Sequence, residues 1–233
     1  AQLSRGLGDV YKRQDVGGSH YLKKYQHTFN FLNNNTRMMA NAFDHLEFYK
    51  KPFVFASSQM SNMSYSPYGV MKRVGEMYTK SLGGLIVHFW NVYGIEKDME
   101  KAHVITDFIS KGFENGVIEM MTDGKEERQF LYAEDCCKAL KIIMKKYDQF
   151  KSDDPLHITS FKNSSILEVA EVIQDLFLEE GKQVQIIPSN STDTVQLDKK
   201  NKANTFILDW WQPKTTLRTG IKKIFEEMKN DWV

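Results

Sequence analysis

Two short apolar runs with one amphipathic helix between them constrain this chain more than any other feature. Residues 53–56 (Phe-Val-Phe-Ala) and 85–90 (Leu-Ile-Val-His-Phe-Trp, broken only by His88) are apolar runs rather than alternating ones, as strands covered on both faces are. Residues 68–82, between them, carry helical periodicity and stop at Gly83-Gly84. Strand, helix, strand in that order implies a right-handed crossover in a parallel sheet. The alternation continues along the chain. Helices are expected at residues 27–45, 104–113 and 135–147, after the capping box Ser165-x-x-Glu168, and from about Leu217. Strands are expected at residues 117–121, 156–158 and 184–187. Residues 57–66 and 189–204 read as polar surface loops, and the class is α/β.

Composition excludes several functions. With 41% hydrophobic residues in 233, the chain can bury a real core. Lys+Arg number 31 against 30 Asp+Glu, a net charge of +1, so no electrostatic case exists for a nucleic-acid or membrane partner. No apolar run approaches the ~20 residues of a membrane span. The two cysteines, Cys136 and Cys137, are adjacent in a helical pattern. They imply helix packing and a reducing, cytoplasmic compartment rather than a disulfide framework. The histidine spacings fit no metal-ligand pair. Residues 1–14 carry neither apolar periodicity nor a secretory apolar core. They look like a translated cloning scar and are set aside.

The chemistry concentrates between the two strands. Tyr68 and Lys72 are one helical turn apart and project from one face. A free tyrosine, with a pKa near ~10, is a poor base at neutral pH. An ammonium nearby favours the phenolate and lowers that value. A tyrosine so tuned can take a proton from a substrate hydroxyl while the carbon beneath gives up hydride. The bare spacing is weak, because Tyr93-x-x-x-Lys97 and Tyr147-x-x-x-Lys151 match it too. Those two tyrosines, at a strand end and a basic helix terminus, read as packing or surface residues. Only Tyr68 follows a serine-bearing strand end, where Ser58 could orient the substrate oxygen, and precedes a strand.

The ordered series of motifs resembles one family. Ser57-Ser58, then Ser66-Pro67-Tyr68-Gly69-x-x-Lys72-x-x-Gly75-Glu76, then Asn91-Val92-Tyr93-Gly94 is similar to the extended short-chain dehydrogenases/reductases, the epimerases and dehydratases of nucleotide sugars. Arg128-Gln129-Phe130-Leu131-Tyr132 with Asp135, and Trp211-Gln212-Pro213 with Gly220, resemble further blocks of that family. The resemblance implies a Rossmann-type doubly wound parallel sheet with a smaller C-terminal α/β substrate lobe. It divides the chain into Rossmann parts at residues 15–95 and 129–160, a lobe insertion at 96–128 and the main lobe at 161–233.

Residue by residue, the resemblance makes Tyr68 the general acid/base, Lys72 its partner and ribose ligand, and Ser58 the ligand of the reacting oxygen. Asn33 and Phe89 would approach the cofactor; Asn91, His103 and Arg128 would contact the substrate. Arg128 would clamp a diphosphate, although its charge run alone reads as a solvated surface. The implied cofactor is NAD, with NADP as its alternative. The implied partner is a nucleotide-sugar substrate, in a homodimeric parent. Two departures bear on the reaction. Gln59-Met60 stands where 4,6-dehydratases carry Asp-Glu, which favours epimerase or plain redox chemistry. His88 stands where the family has Arg, and reads as structural.

One family element is missing. The glycine-rich turn that cradles the pyrophosphate has no counterpart, since Gly6-x-Gly8 lacks the third glycine and a preceding strand. The first βα units are therefore expected to be absent, leaving a fragment without its main NAD cradle. The expected function is NAD-dependent nucleotide-sugar epimerisation. Reductase or dehydratase chemistry on the same scaffold, or a non-catalytic sugar-nucleotide-binding fragment, are the alternatives.

Overall fold

The computed structural model describes residues 16–150, 154–196 and 201–232. The proposed scar at 1–14, Gly6, Gly8 and Lys151 lie outside them. Helices α1 (Ser19–Tyr25) and α2 (Phe29–Tyr49) precede β1 (Val54–Ser58), α3 (Pro67–Ser81) and β2 (Leu85–Phe89). Then come β3 (Asn91–Tyr93), α4 (Val104–Asn115), β4 (Val117–Glu119), β5 (Glu127–Arg128), β6 (Phe130–Tyr132) and α5 (Ala133–Lys145). The chain closes with β7 (Leu156–Ile158), β8 (Ser164–Ser165), α6 (Ile166–Glu179), β9 (Gln185–Ile187) and α7 (Leu217–Trp232).

The expected crossover is present. β1 and β2 pair in parallel from Val54–Leu85 to Ser58–Phe89, and β2 pairs in parallel with β7, so the order is β1–β2–β7. Local chemistry explains the connecting helix. The Ser66 hydroxyl accepts the Gly69 N–H at 3.2 Å, and Pro67 occupies the first turn, where its missing N–H is not needed. Gly75 lets α3 lie flat on β1, because a Cβ there would meet Phe55 Cζ at 2.2 Å.

Three apolar clusters follow. One lies between the sheet and α5, around Val87, Ala139, Ile143 and Ile158. A second joins α4, α6 and α7 beside the parallel pair β4–β9, around Ile109, Ile173, Phe177 and Ile224. The third ties α1 and α2 to the residues after β1, through Leu22, Phe31, Met60 and Met63.

Several expectations change. α1 was not foreseen, since its seven residues are too few to display a period. Residues 57–66 are not a plain loop: β1 runs on to Ser58, a 3₁₀ turn follows at Gln59–Asn62, and Met63 is fully buried. Residues 189–196 are not wholly surface either, because Val195 is buried against the third cluster. Cys136 packs as expected and burial pushes its thiol up to about 12, but Cys137 is exposed. The competing tyrosines are packing residues: Tyr93 is buried, and Tyr147 donates to the Phe53 carbonyl at 3.1 Å. Among the described residues, no helix is long and apolar enough to cross a membrane.

Candidate active site

Three successive residues of β1 grip three residues of α3. The Ser58 hydroxyl shares a hydrogen bond with the Tyr68 side chain. Lys72 Nζ donates to the Ala56 carbonyl at 2.7 Å, and Ser57 Oγ donates to Glu76 Oε1 at 2.6 Å. Residues 68, 72 and 76 are spaced by one turn, so one helix face lies over the carboxyl end of one parallel strand. That end of an open α/β sheet is where such folds bind ligands. Phe89 is the register partner of Ser58, so it too stands at this edge.

The electrostatics differ from the simple expectation. Burial pushes the Tyr68 phenol up to about 12, and the hydrogen bond to Ser58 offsets only part of this. Lys72 does not lower it here. Its ammonium lies 5.6 Å from the Tyr68 ring centroid, turned to the Ala56 carbonyl. Burial lowers Lys72 itself to about 8, against an upward pull from Glu76. At neutral pH the pair is therefore a neutral phenol beside a buried ammonium close to its own midpoint.

Glu76 is the anion of the site. Only 2% exposed, it contacts His88 Nε2 at 2.7 Å and accepts from Arg73 Nη1 at 2.9 Å as well as from Ser57. Burial alone would raise its carboxyl, but the hydrogen bonds, led by those of His88 and Ser57, hold it down at about 2.

The other expected residues divide into two groups. Asn91, His103 and Arg128 line one cavity of about 240 Å³ that opens between β3, α1 and α4. His103 Nδ1 lies 2.5 Å from Glu96 Oε1, and its backbone N–H donates to Glu96 Oε2 at 2.8 Å. Arg128 is largely buried and ion-paired with Asp193, so it is not the solvated charge its sequence neighbours suggest. It also borders an adjoining cavity of about 410 Å³ that reaches Gln59 and Trp90, next to Ser58. Asn33 sits on the second turn of α2.

Sequence reasoning missed Asp193 and the amides beside it. Gln59 Nε2 donates to Gln196 Oε1 at 2.9 Å, and Asn201 Nδ2 to the Gln59 carbonyl at 2.6 Å. These contacts tie the segment after β9 over the residues following Ser58. No local signal announces them, because the partners lie 137 and 142 positions apart. Glu76 did have a signal, the spacing Tyr68, Lys72, Glu76 on one helix face.

The profile of the NAD dependent epimerase/dehydratase family matches residues 16–158. A provisionally named UDP-glucose 4-epimerase of Methanocaldococcus jannaschii is 30% identical over 174 residues, covering 71% of this chain and 54% of that protein. A GDP-L-fucose synthase of Sinorhizobium fredii is 27% identical, covering 68% of this chain and 53% of that protein. The chain thus spans about half the length of the curated relatives it matches. Among solved structures, a UDP-glucuronic acid 4-epimerase of Bacillus cereus, in complex with UDP-glucuronic acid and NAD, superposes with a TM-score of 0.74 at 18% identity. That superposition covers 96% of this chain and 78% of the other. At that identity the likeness establishes the Rossmann-type fold.

Proposed function

This chain belongs to the NAD dependent epimerase/dehydratase family, and on that premise we propose that it carries the reaction centre of a nucleotide-sugar epimerase. The observation that carries the reading is the grip of β1 on α3, with Ser58 on Tyr68 and the Ala56 carbonyl on Lys72. A phenol hydrogen-bonded to a serine hydroxyl, at the carboxyl end of a parallel strand, suits removal and return of a sugar hydroxyl proton. Phenol, amine and Phe89 at one strand edge fit a nicotinamide nucleotide: an amine for a ribose hydroxyl, an aromatic side chain for a flat ring. Bound NAD, held by Lys72, Tyr68 and Phe89, would supply the hydride acceptor and a cationic ring whose charge favours the phenolate.

The steps that belong to this chain are these. Ser58 orients the sugar oxygen, and Tyr68 Oη, once its own proton has passed to solvent, takes the hydroxyl proton as the C–H bond is broken. The buried ammonium of Lys72 would hold a ribose hydroxyl. Reversal on the other face of the sugar returns proton and hydride and inverts the carbon. Arg128, with Asn91 and His103 in the same cavity, would hold the diphosphate and sugar. Gln59 supports epimerisation over dehydration, because an amide after Ser58 supplies no acid to expel water. Residues 15–95 and 129–160 as the nucleotide-binding part, the remainder as substrate lobe, a homodimeric assembly and a cytoplasmic location complete the proposal.

The test is Tyr68→Phe in the full protein, assayed with NAD and UDP-glucose. Turnover should fall by about 10²–10⁴-fold, the scale of general acid–base catalysis. Unchanged turnover would overturn the mechanism.

A further inference from the structure

Glu76 has no part in the proton and hydride steps, yet it is a carboxylate held almost wholly out of water. A buried charge costs several kcal/mol unless its partners compensate it, so its partners reveal what it holds. Ser57, one of them, is the residue next to Ser58. His88, another, is the register partner of Ser57 across the β1–β2 pair. His88 is in turn the register partner of His157 in β7, and the two rings lie 4.8 Å apart. His157 Nδ1 accepts the Trp90 indole N–H at 3.1 Å, and Trp90 precedes Asn91. One row of side chains, Ser57–His88–His157, thus crosses all three strands, tied at one end to Glu76 on α3.

We infer that Glu76 is the positioning residue of the Ser58–Tyr68–Lys72 centre. By clamping the Ser57–His88 row to α3 it sets where Ser58 meets Tyr68, and its charge keeps Lys72 cationic. The inference rests on the reading of Tyr68 as the proton-transferring group. Two bonds to one carboxylate oxygen leave β1 and β2 little freedom to slide against the helix. Arg73 on Oε2 fixes the carboxylate plane from the solvent side. The charged and titratable groups facing Glu76 are Lys72 and Arg73 from α3, His88 from β2 and, behind it, His157 from β7. Burial works against the ammonium of Lys72, and Glu76 is the force that opposes it. A positioning role therefore has a signature that mere packing lacks: the titration of Lys72 follows the charge at position 76.

Two variants test this. Glu76→Gln keeps an acceptor for Ser57 and His88 but removes the charge. Carbon-13 NMR of the labelled chain, reading the Lys72 Cε resonance through neutral and alkaline pH, should show its midpoint lowered by about one unit. An unmoved midpoint in a folded Glu76→Gln protein overturns the inference. Ser57→Ala leaves the carboxylate paired with His88 and Arg73 and removes only the strand clamp. In the full protein with NAD and UDP-glucose it should lower kcat about tenfold with KM unchanged, the mark of misalignment rather than lost binding. It also decides the matter should Glu76→Gln fail to fold. An unchanged kcat in Ser57→Ala, with Tyr68→Phe inactive, overturns the inference alone. Turnover surviving in Tyr68→Phe overturns both it and the reading beneath it.

Discussion

Replacing His157 with asparagine should flatten the acid side of the protein's stability curve. His157 is half-buried in β7, with Nδ1 accepting from Trp90 and its ring against His88. Burial first, and His88 second, push its pKa from 6.5 down to about 4, with Glu76 pulling the other way. The folded protein therefore prefers the neutral ring. Above 6.5 both folded and unfolded chains hold it neutral, and linkage contributes nothing. As pH falls from 6.5 towards about 4, the unfolded chain takes up a proton that the folded one refuses, so stability falls. At ~1.4 kcal/mol per unit, the full window is worth ~3 kcal/mol, and about 2 kcal/mol of it is lost by about pH 5. Glu76 acts in a different window. Its carboxyl is depressed from 4.5 to about 2, so its contribution is present above 4.5 and lost only below it. Urea unfolding followed by tryptophan fluorescence, at about pH 7 and about pH 5, makes the comparison. The native protein should lose about 2 kcal/mol between them, and His157→Asn, whose amide oxygen still accepts the Trp90 N–H, almost none. Equal losses in the two proteins would refute the assignment.

Other consequences can be measured directly. Arg128→Gln should weaken UDP binding about tenfold or more in calorimetry, because a charge-assisted bond is lost and Asp193 is left without its cation. Gly75→Ala drives a Cβ to 2.2 Å from Phe55 Cζ and should lower stability by about 1–3 kcal/mol, read as a fall in Tm. Ile173→Ala empties a fully buried site between α4, α6 and α7 and should cost about 2–5 kcal/mol in denaturant unfolding.

What could be read in advance followed from local rules. The 3.6-residue period located α3 and α6 to within a residue or two, and Ser66 and Ser165 cap them as their types suggest. Apolar runs marked β1 and β2 as parallel strands, because both faces of such strands are covered. Tyr68, Lys72 and Ser58 were legible for the same reason: a turn of helix and the end of a strand bring them together with few free variables. Asn33 is on the second turn of α2; a helix gives the spacing of its residues but not which turn faces a ligand.

Sequence alone determined the α/β class, the crossover and the placing of Tyr68 and Lys72 on one helix face after Ser58, since each depends on residues within one or two elements. Tertiary structure alone decided their electrostatics. That Tyr68 stays a phenol up to about 12, with Lys72 down at about 8, follows from burial that no local pattern encodes. The pairing of Arg128 with Asp193, 65 positions away, and the row Ser57–His88–His157 under Glu76 arise only when distant strands close into register. Short-range periodicity sets where the chain's groups point, and long-range packing sets what charge they can hold.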